Sequence, residues 1–483
     1  MHGSLPEWSV DRTESRGYSS VTEPRGTMTT TDPSTVQRRS LVIASLGTLL
    51  TLVAFTAPLA TINPTATTLG SDAAGKTWIL SSMSIGLGAA LLTAGTVADD
   101  FGRRRTFAIG AVVLAAGSVA CAVAPTTLIF VIARIAQGIG GAALVASSLG
   151  IIAHTHPVGP LRARASGIWG ASVGAGIALG PLIAAGFDRI ATWRDAYVVL
   201  AVAAAVLAYV SHRFVVESRT DVPRGLDPAG ALLLGLGVSA LLAALVEGRQ
   251  GWADPLPIGL FVVAALLLSM FVIVELRSST AMLDLSLFAH PPFVAATFAA
   301  LMTGAGVIAL MSYVSGFLGN AYGIQALEAA LLMFAWSGTS VVTALLARRI
   351  PPSISGGTQL AVGLLGVAVG QLFLLGLSED STWSRLLPGL LVAGVSSGVL
   401  NAALGREAVA SVPAGRAGMG SGANNTARYV GSAVGVTVVA VLAVPTGTPS
   451  VAGLVEGWNS AVLFTTAASI VGALVVLACR RRA

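Results

Sequence analysis

Fourteen apolar segments, each close to the length of a single bilayer crossing, leave this chain very few ways to fold. They cover residues 40–62, 77–98, 107–124, 126–152, 165–187, 195–214, 228–246, 256–275, 293–318, 326–347, 357–377, 385–404, 418–443 and 458–479, numbered here as spans 1 to 14. A helix needs about 20 apolar residues to cross the hydrocarbon, and only helices or closed barrels satisfy their own backbone groups there. Because 54% of the residues are hydrophobic and only 10% are charged, a soluble enzyme is excluded. The fold class is an all-α polytopic membrane protein.

Charge tests that count independently of hydropathy. If the N-terminus lies inside, basic side chains gather in the two tails and in the even-to-odd loops. Most of the 28 do, from Arg38 and Arg39 through Arg103, Arg104 and Arg105 to Arg416 and Arg480. Lys76, Arg189, Arg194, Arg249 and Arg385 fall in outer loops and at outer helix ends, and Arg134 and Arg428 fall inside the membrane. The net charge of +6 is thus a topology signal, with both termini cytoplasmic, and no nucleic-acid partner is expected. Residues 1–38 are polar and rich in Ser, Thr and Pro, which predicts a disordered cytoplasmic tail. Cys121 and Cys479 stand singly in apolar runs, and His154 and His156 lack a Cys or carboxylate companion. No metal site or cofactor is expected, and both histidines are assigned to a solvated loop. There is no phosphate-binding loop, and Lys76 is the only lysine, so any transport would draw on a gradient and not on ATP.

Three motifs stand out. Between spans 2 and 3 runs Gly95-Thr-Val-Ala-Asp99-Asp100-Phe-Gly102-Arg103-Arg104-Arg105. Gly95 and Gly102 allow close approach or a tight turn, and acids near a helix end facing an arginine cluster suit an ionic latch. Span 4 carries Arg134 one turn from Gln137, beside Gly138, Gly140 and Gly141. An arginine at mid-membrane costs about 2.5–3.5 kcal/mol on insertion scales, so it faces protein or a wet cavity; bracing of neighbouring backbone is the competing role. Span 5 carries Gly176-x-x-x-Gly180-Pro181, a stripe without bulk followed by a residue that bends the helix.

These strings resemble the major facilitator superfamily of secondary transporters, the third being its exporter motif in helix 5. Asp227-Pro-Ala-Gly230, Glu247-Gly248 with Gly251-Trp252, Leu283-Asp284, and Asn424-Asn425-Thr426-Ala427-Arg428 narrow the likeness to its fourteen-spanner drug:proton antiporter family. The resemblance implies two six-helix bundles, residues 39–214 and 293–483, joined by a 215–292 linker that contains inserted spans 7 and 8. It also implies a central cavity lined by spans 1, 2, 4, 5, 9, 10, 12 and 13, holding Arg134, Gln137, Trp169, Tyr313, Trp336, Asn401, Asn424, Asn425 and Arg428. The nearly aliphatic spans 3, 6, 7, 8 and 14 then face lipid. Gln371 in span 11 has no place in this scheme.

One departure bears on mechanism. The acidic residue usual in helix 1 of these antiporters is replaced by Phe55, and Asp99, Glu328 and Glu407 are the acidic candidates that remain. The implied function is export of a drug or endogenous metabolite across the cytoplasmic membrane by alternating access, coupled to protons, in a monomer. The alternative is an uncoupled facilitator or an importer of an anionic or polar metabolite. With Arg134 and Arg428 as the only charges in the cavity helices, an anionic or hydrogen-bonding substrate is favoured over a lipophilic cation.

Overall fold

The computed structural model describes residues 33–480 apart from 222, 224, 226, 250, 279, 280, 352 and 444–449. Among them, thirteen helices are long and apolar enough to cross a membrane, and the shorter Gly356–Leu372 supplies span 11. Span 1 is two helices, Pro33–Thr56 and Pro58–Leu69. The next five are Ala73–Phe101, Arg103–Val123, Thr127–Thr155, Pro160–Ile190 and Trp193–Phe214. Spans 7 and 8 are Pro228–Gly248 and Pro255–Arg277; span 9 covers Pro291–Tyr322 as two α-helical pieces either side of Gly304–Ile308. Spans 10 and 12 to 14 are Ala326–Leu346, Leu387–Ala410, Ala417–Ala443 and Val451–Arg480.

Helix ends follow local chemistry. Asp72 accepts from the Gly75 amide at 2.7 Å to cap span 2, and Thr192 with Asp195 forms a capping box on span 6. Proline opens spans 5, 7 and 8, where its missing N–H costs nothing. Residues 33–38, read from sequence as tail, are the first turns of span 1, and residues 1–32 lie outside the described residues. Span 14 starts at Val451, seven residues before hydropathy placed it, because polar Glu456 and Asn459 are tolerated near a helix end.

Two helices are broken where hydropathy shows continuous runs. Pro58 has no N–H to give the Ala54 carbonyl, so span 1 kinks at Ala57. Span 9 widens into a π-helical turn at Gly304–Ile308, which disturbs the regular backbone pairing.

Most of the apolar packing falls into three large clusters, with two small ones around Ala57 and Ala309. One joins spans 1 to 6 through Phe107, Phe130, Trp169 and Tyr197, and a second joins spans 9 to 14 through Phe317, Leu364 and Trp458. The third seats span 7, with Leu234, Val238 and Leu242, against Ile85 and Leu92 of span 2 and Met419 and Ala423 of span 13. The halves meet chiefly through span 2 against 13 and span 5 against 10 and 12. Small residues make this possible: a Cβ on Gly422 would collide with the Leu91 carbonyl and Leu92, and one on Gly170 would meet the backbone of Ala402 at 2.9 Å. Span 8 touches mainly span 7 and is largely unburied, as a lipid-facing helix would be.

Candidate functional site

Arg134 is fully buried, but it faces the break in span 1 and not the cavity. Its Nη1 donates to the Ala54 carbonyl at 2.6 Å and to Gln137 Oε1 at 3.0 Å; Nη2 donates to the Phe55 carbonyl at 3.2 Å. The Ala54 carbonyl is the one that Pro58 leaves without a helical donor. Gln137 in turn donates to Ser118 of span 3 at 2.8 Å. The cavity role expected for Arg134 and Gln137 is therefore corrected in this conformation: the pair satisfies backbone that proline exposes.

Gln371 performs the corresponding task in the second bundle. Its Nε2 donates to the Gly306 carbonyl in the π-helical turn at 3.0 Å, and its Oε1 accepts from Ser469 at 3.0 Å. Three other expected lining residues are also occupied elsewhere. Trp169 donates to Thr48 and Ser148, both at 2.9 Å. Asn424 donates to the Ala296 carbonyl at 2.9 Å, binding span 13 to span 9, and Asn425 to its own helix at Ser421.

Two adjoining cavities lie between the bundles. The inner one, about 60 Å³, is lined by Trp336, Ser337, Ser340, Ser397, Asn401, Arg428 and Tyr429, with Gly174 and Pro181 of span 5 opposite. Arg428 is 6% exposed; its Nη2 donates to Asn401 Oδ1 at 3.3 Å and its Nε has no partner. A nearly unpaired guanidinium at the edge of an apolar, aromatic chamber has donors left to offer an acceptor-rich group. The larger cavity, about 230 Å³, is lined by Ser81, Ser84, Tyr313 and Ser432, with Leu242, Leu245, Val246 and Arg249 from span 7. Phe55, Leu59 and Ser312 border both, and Phe55 meets Tyr429 edge-on at 5.5 Å. Of the nine cavity residues expected, Tyr313, Trp336, Asn401 and Arg428 line these spaces. No Asp or Glu is among the lining residues of either cavity.

Sequence reading missed span 7, whose inner face forms a cavity wall although its composition suggested lipid contact. It placed Arg249 at the outer end of span 7, where the structure has it, without expecting it to line a cavity. The one signal was a basic residue directly after an apolar span.

At the other end of the molecule the loop after span 2 clamps span 13. Asp99 pairs with Arg103 at 2.7 Å and accepts from the Met419 amide at 2.9 Å, placing a carboxylate at the start of span 13 where the helix dipole favours it. Arg103 also donates to the Gly415 carbonyl at 2.9 Å. A Cβ on Gly95 would strike the Gly418 carbonyl. Gly102 has φ +124°, and a Cβ there would lie 2.8 Å from the Glu217 carboxylate, so both conformation and space demand glycine. Glu217 accepts from the Arg104 amide at 3.0 Å, and the chain after span 6 straps the loop through Arg103 N to Ser218 O and Thr220 N to Asp99 O. Asp100, which departs from the family pattern, pairs with Arg416 at 2.7 Å and forms a second bond between the halves.

The span 5 glycines pack against span 1. A Cβ on Gly176 would lie 2.7 Å from the Leu49 carbonyl, and one on Gly180 would lie 2.7 Å from the Val53 carbonyl. His156 is 5% exposed, not solvated as expected, with Nδ1 near Thr155 and the Ile152 carbonyl. Burial pushes its pKa down, only partly offset by the Ile152 contact. Among the described residues, no cluster of His, Cys, Asp or Glu could hold a metal ion.

Comparison with known proteins agrees with this architecture. The family model of the Major Facilitator Superfamily matches residues 44–436. The chain is 31% identical over 372 residues to the multidrug resistance protein Stp of Mycobacterium tuberculosis (strain CDC 1551 / Oshkosh), covering 77% of this chain and 69% of that protein. It is 29% identical over 424 residues to the multidrug efflux pump LfrA of Mycolicibacterium smegmatis (strain ATCC 700084 / mc(2)155), covering 86% and 83%. Among solved structures, the proton:xylose symporter XylE superposes with a TM-score of 0.65 at 14% identity, over 92% of this chain and 95% of that one, which speaks to the fold alone. A family model spanning most of the chain, relatives of this kind and fourteen crossings in two latched bundles together make this chain a member of the Major Facilitator Superfamily, a multi-pass membrane transporter and not an enzyme.

Proposed function

We propose that this chain exports small amphipathic molecules that carry an anionic or strongly hydrogen-bonding group, by alternating access between the bundles. The observation that carries the reading is the inner cavity, where Arg428 and Asn401 face Trp336 and Tyr429 and no carboxylate balances the guanidinium. Export is supported by the names of the relatives, a multidrug resistance protein and a multidrug efflux pump. The latch end is assigned to the cytoplasm from the arginine distribution, which puts both termini there. The ion pairs then hold the inner end shut above a cytoplasmic recess of about 1130 Å³, and the larger of the two adjoining cavities lies in the outer half. The chain works as a monomer, since one copy supplies both cavities and the latch.

Proton coupling belongs to the same proposal, with Asp99 as the carrier. Protonation would remove the charge that holds Arg103 and the Met419 amide, so proton uptake and opening of the inner end are linked. A second reading, uncoupled facilitation, is favoured by the absence of acids from both cavity linings.

The test uses purified protein in liposomes with two fluorescent amphiphiles that share one ring system, anionic dansylglycine and cationic dansylcadaverine, and an internal pH dye. Saturable transport of dansylglycine in preference to dansylcadaverine, weakened by Arg428→Gln, is the expected result. Preference for the cation would overturn the charge assignment. Substrate flux without a pH change would favour the facilitator.

A further inference from the structure

Arg249 caps the inserted hairpin's first helix through its backbone N–H and lines the larger cavity, yet its guanidinium makes no hydrogen bond or ion pair among the described residues. The nearest acid in sequence, Glu247, is engaged elsewhere, accepting from the Trp78 indole at 2.5 Å. Two residues apart at a helix end, the two side chains point to different sides, so Glu247 does not neutralise the guanidinium. Burial lowers the pKa of Arg249, and no neighbouring acid opposes that shift. Around it the wall is mixed. Ser81 and Ser84 of span 2 present hydroxyls that have no hydrogen-bond partner among the described residues, while Leu242 and Leu245 give an apolar bed.

We infer that Arg249 is the anion-recognition residue of a second subsite, built by the inserted hairpin on the outer half of the transport path and taking the carboxylate or sulfonate of an amphipathic substrate. A half-buried guanidinium facing a cavity without a carboxylate gains a charge-assisted hydrogen bond only when an anion enters. Arg428 in the inner cavity and Arg249 in the outer one are separated by Phe55, Leu59 and Ser312, which border both spaces. An anion passing outward would leave one arginine for the other. The hairpin is then part of the substrate path and not only a lipid-facing addition. This inference rests on the proposed transport of amphipathic anions.

The experiment measures initial rates of dansylglycine transport in liposomes for the wild type, Arg249→Ala, Arg249→Lys and Arg249→Glu, with dansylcadaverine alongside. The expected result is a half-saturating concentration raised about tenfold by Arg249→Ala, as loss of one charge-assisted hydrogen bond implies. Arg249→Glu would raise it further and Arg249→Lys would recover most of it, while dansylcadaverine would lose nothing. Saturation by dansylglycine that is unchanged in Arg249→Ala, while Arg428→Gln still impairs it, overturns the outer subsite and leaves the inner-cavity reading standing. Wild-type protein that neither transports dansylglycine nor enhances its fluorescence overturns both.

Discussion

The two bundles solve one problem with different chemistry. Each has its first helix broken near the cavity, at Pro58 in span 1 and at the Gly304–Ile308 turn in span 9, and each must satisfy the carbonyls so released. The first bundle uses a charge, Arg134, tied through Gln137 to Ser118; the second uses the neutral Gln371, tied to Ser469. A guanidinium can reach two successive carbonyls, Ala54 and Phe55, whereas one amide N–H meets only Gly306. A proline break frees a carbonyl outright and calls for the stronger donor. A π-helical turn displaces the pairing, and a neutral donor suffices there.

The largest effect is expected from Arg134→Met, which strips the donor from two buried carbonyls and leaves Gln137 half-paired. A loss of about 3 kcal/mol is expected, read as a lowered Tm in detergent, with transport abolished. Gln371→Leu orphans one carbonyl and should cost about 1–2 kcal/mol, giving a smaller fall in Tm. Equal falls for the two variants would break the comparison between charged and neutral bracing.

The contrast extends to the latch, since the span 2 and 13 contact adds the Asp100–Arg416 ion pair and the bond from the Met419 amide to Asp99 to its close backbone approach, whereas the span 5 and 10 contact rests on close approach, with Gly167 facing the Ala344 carbonyl. Asp99→Asn should therefore speed labelling of a cysteine placed at Val412, in a background lacking Cys121 and Cys479, by about tenfold, equivalent to roughly 1.4 kcal/mol. Gly167→Ala should leave that rate nearly unchanged. Asp100→Arg should loosen the same end less, by about 1 kcal/mol, and adding Arg416→Asp should restore the wild-type rate if the pair acts as a unit. A double variant no better than the single one would mean that Asp100 works through its amide contact at Gly225.

The smallest effect concerns His156 at the base of the first bundle. Its folded pKa lies below the ordinary 6.5, so the neutral form is the native one; the associated stability is present above pH 6.5 and is lost as pH falls towards the folded pKa. His156→Gln should make that acid-side fall in Tm shallower. An unaltered pH profile would show that another group sets it.

Hydropathy and arginine placement carried the crossings and their number, because a bilayer imposes one length on every helix. Side-chain direction was less legible. Arg134, Gln137, Asn424 and Asn425 are as awkward in an apolar helix as Asn401 and Arg428, and the deciding fact is whether a free carbonyl or a cavity lies opposite. Pro58 is a visible sign of a broken helix, but the reading from sequence did not connect it with Arg134. The turn at Gly304–Ile308 has no comparable sign, and for that reason Gln371 stood unexplained. Asp100 looked like a departure from pattern until Arg416, more than three hundred positions later, was found beside it.

Span 7 lies in the seam between spans 2 and 13, with far more of its surface on the former. In the proposed alternating access, the inserted hairpin would therefore travel with the first bundle, and its edge along span 13 would slip. The bond from Thr437 to the Leu245 carbonyl, at 3.4 Å, crosses that moving edge. One flank of the carrier would thus keep a shutter against lipid through that cycle, while among the described residues no inserted helix covers the opposite seam between spans 5 and 10.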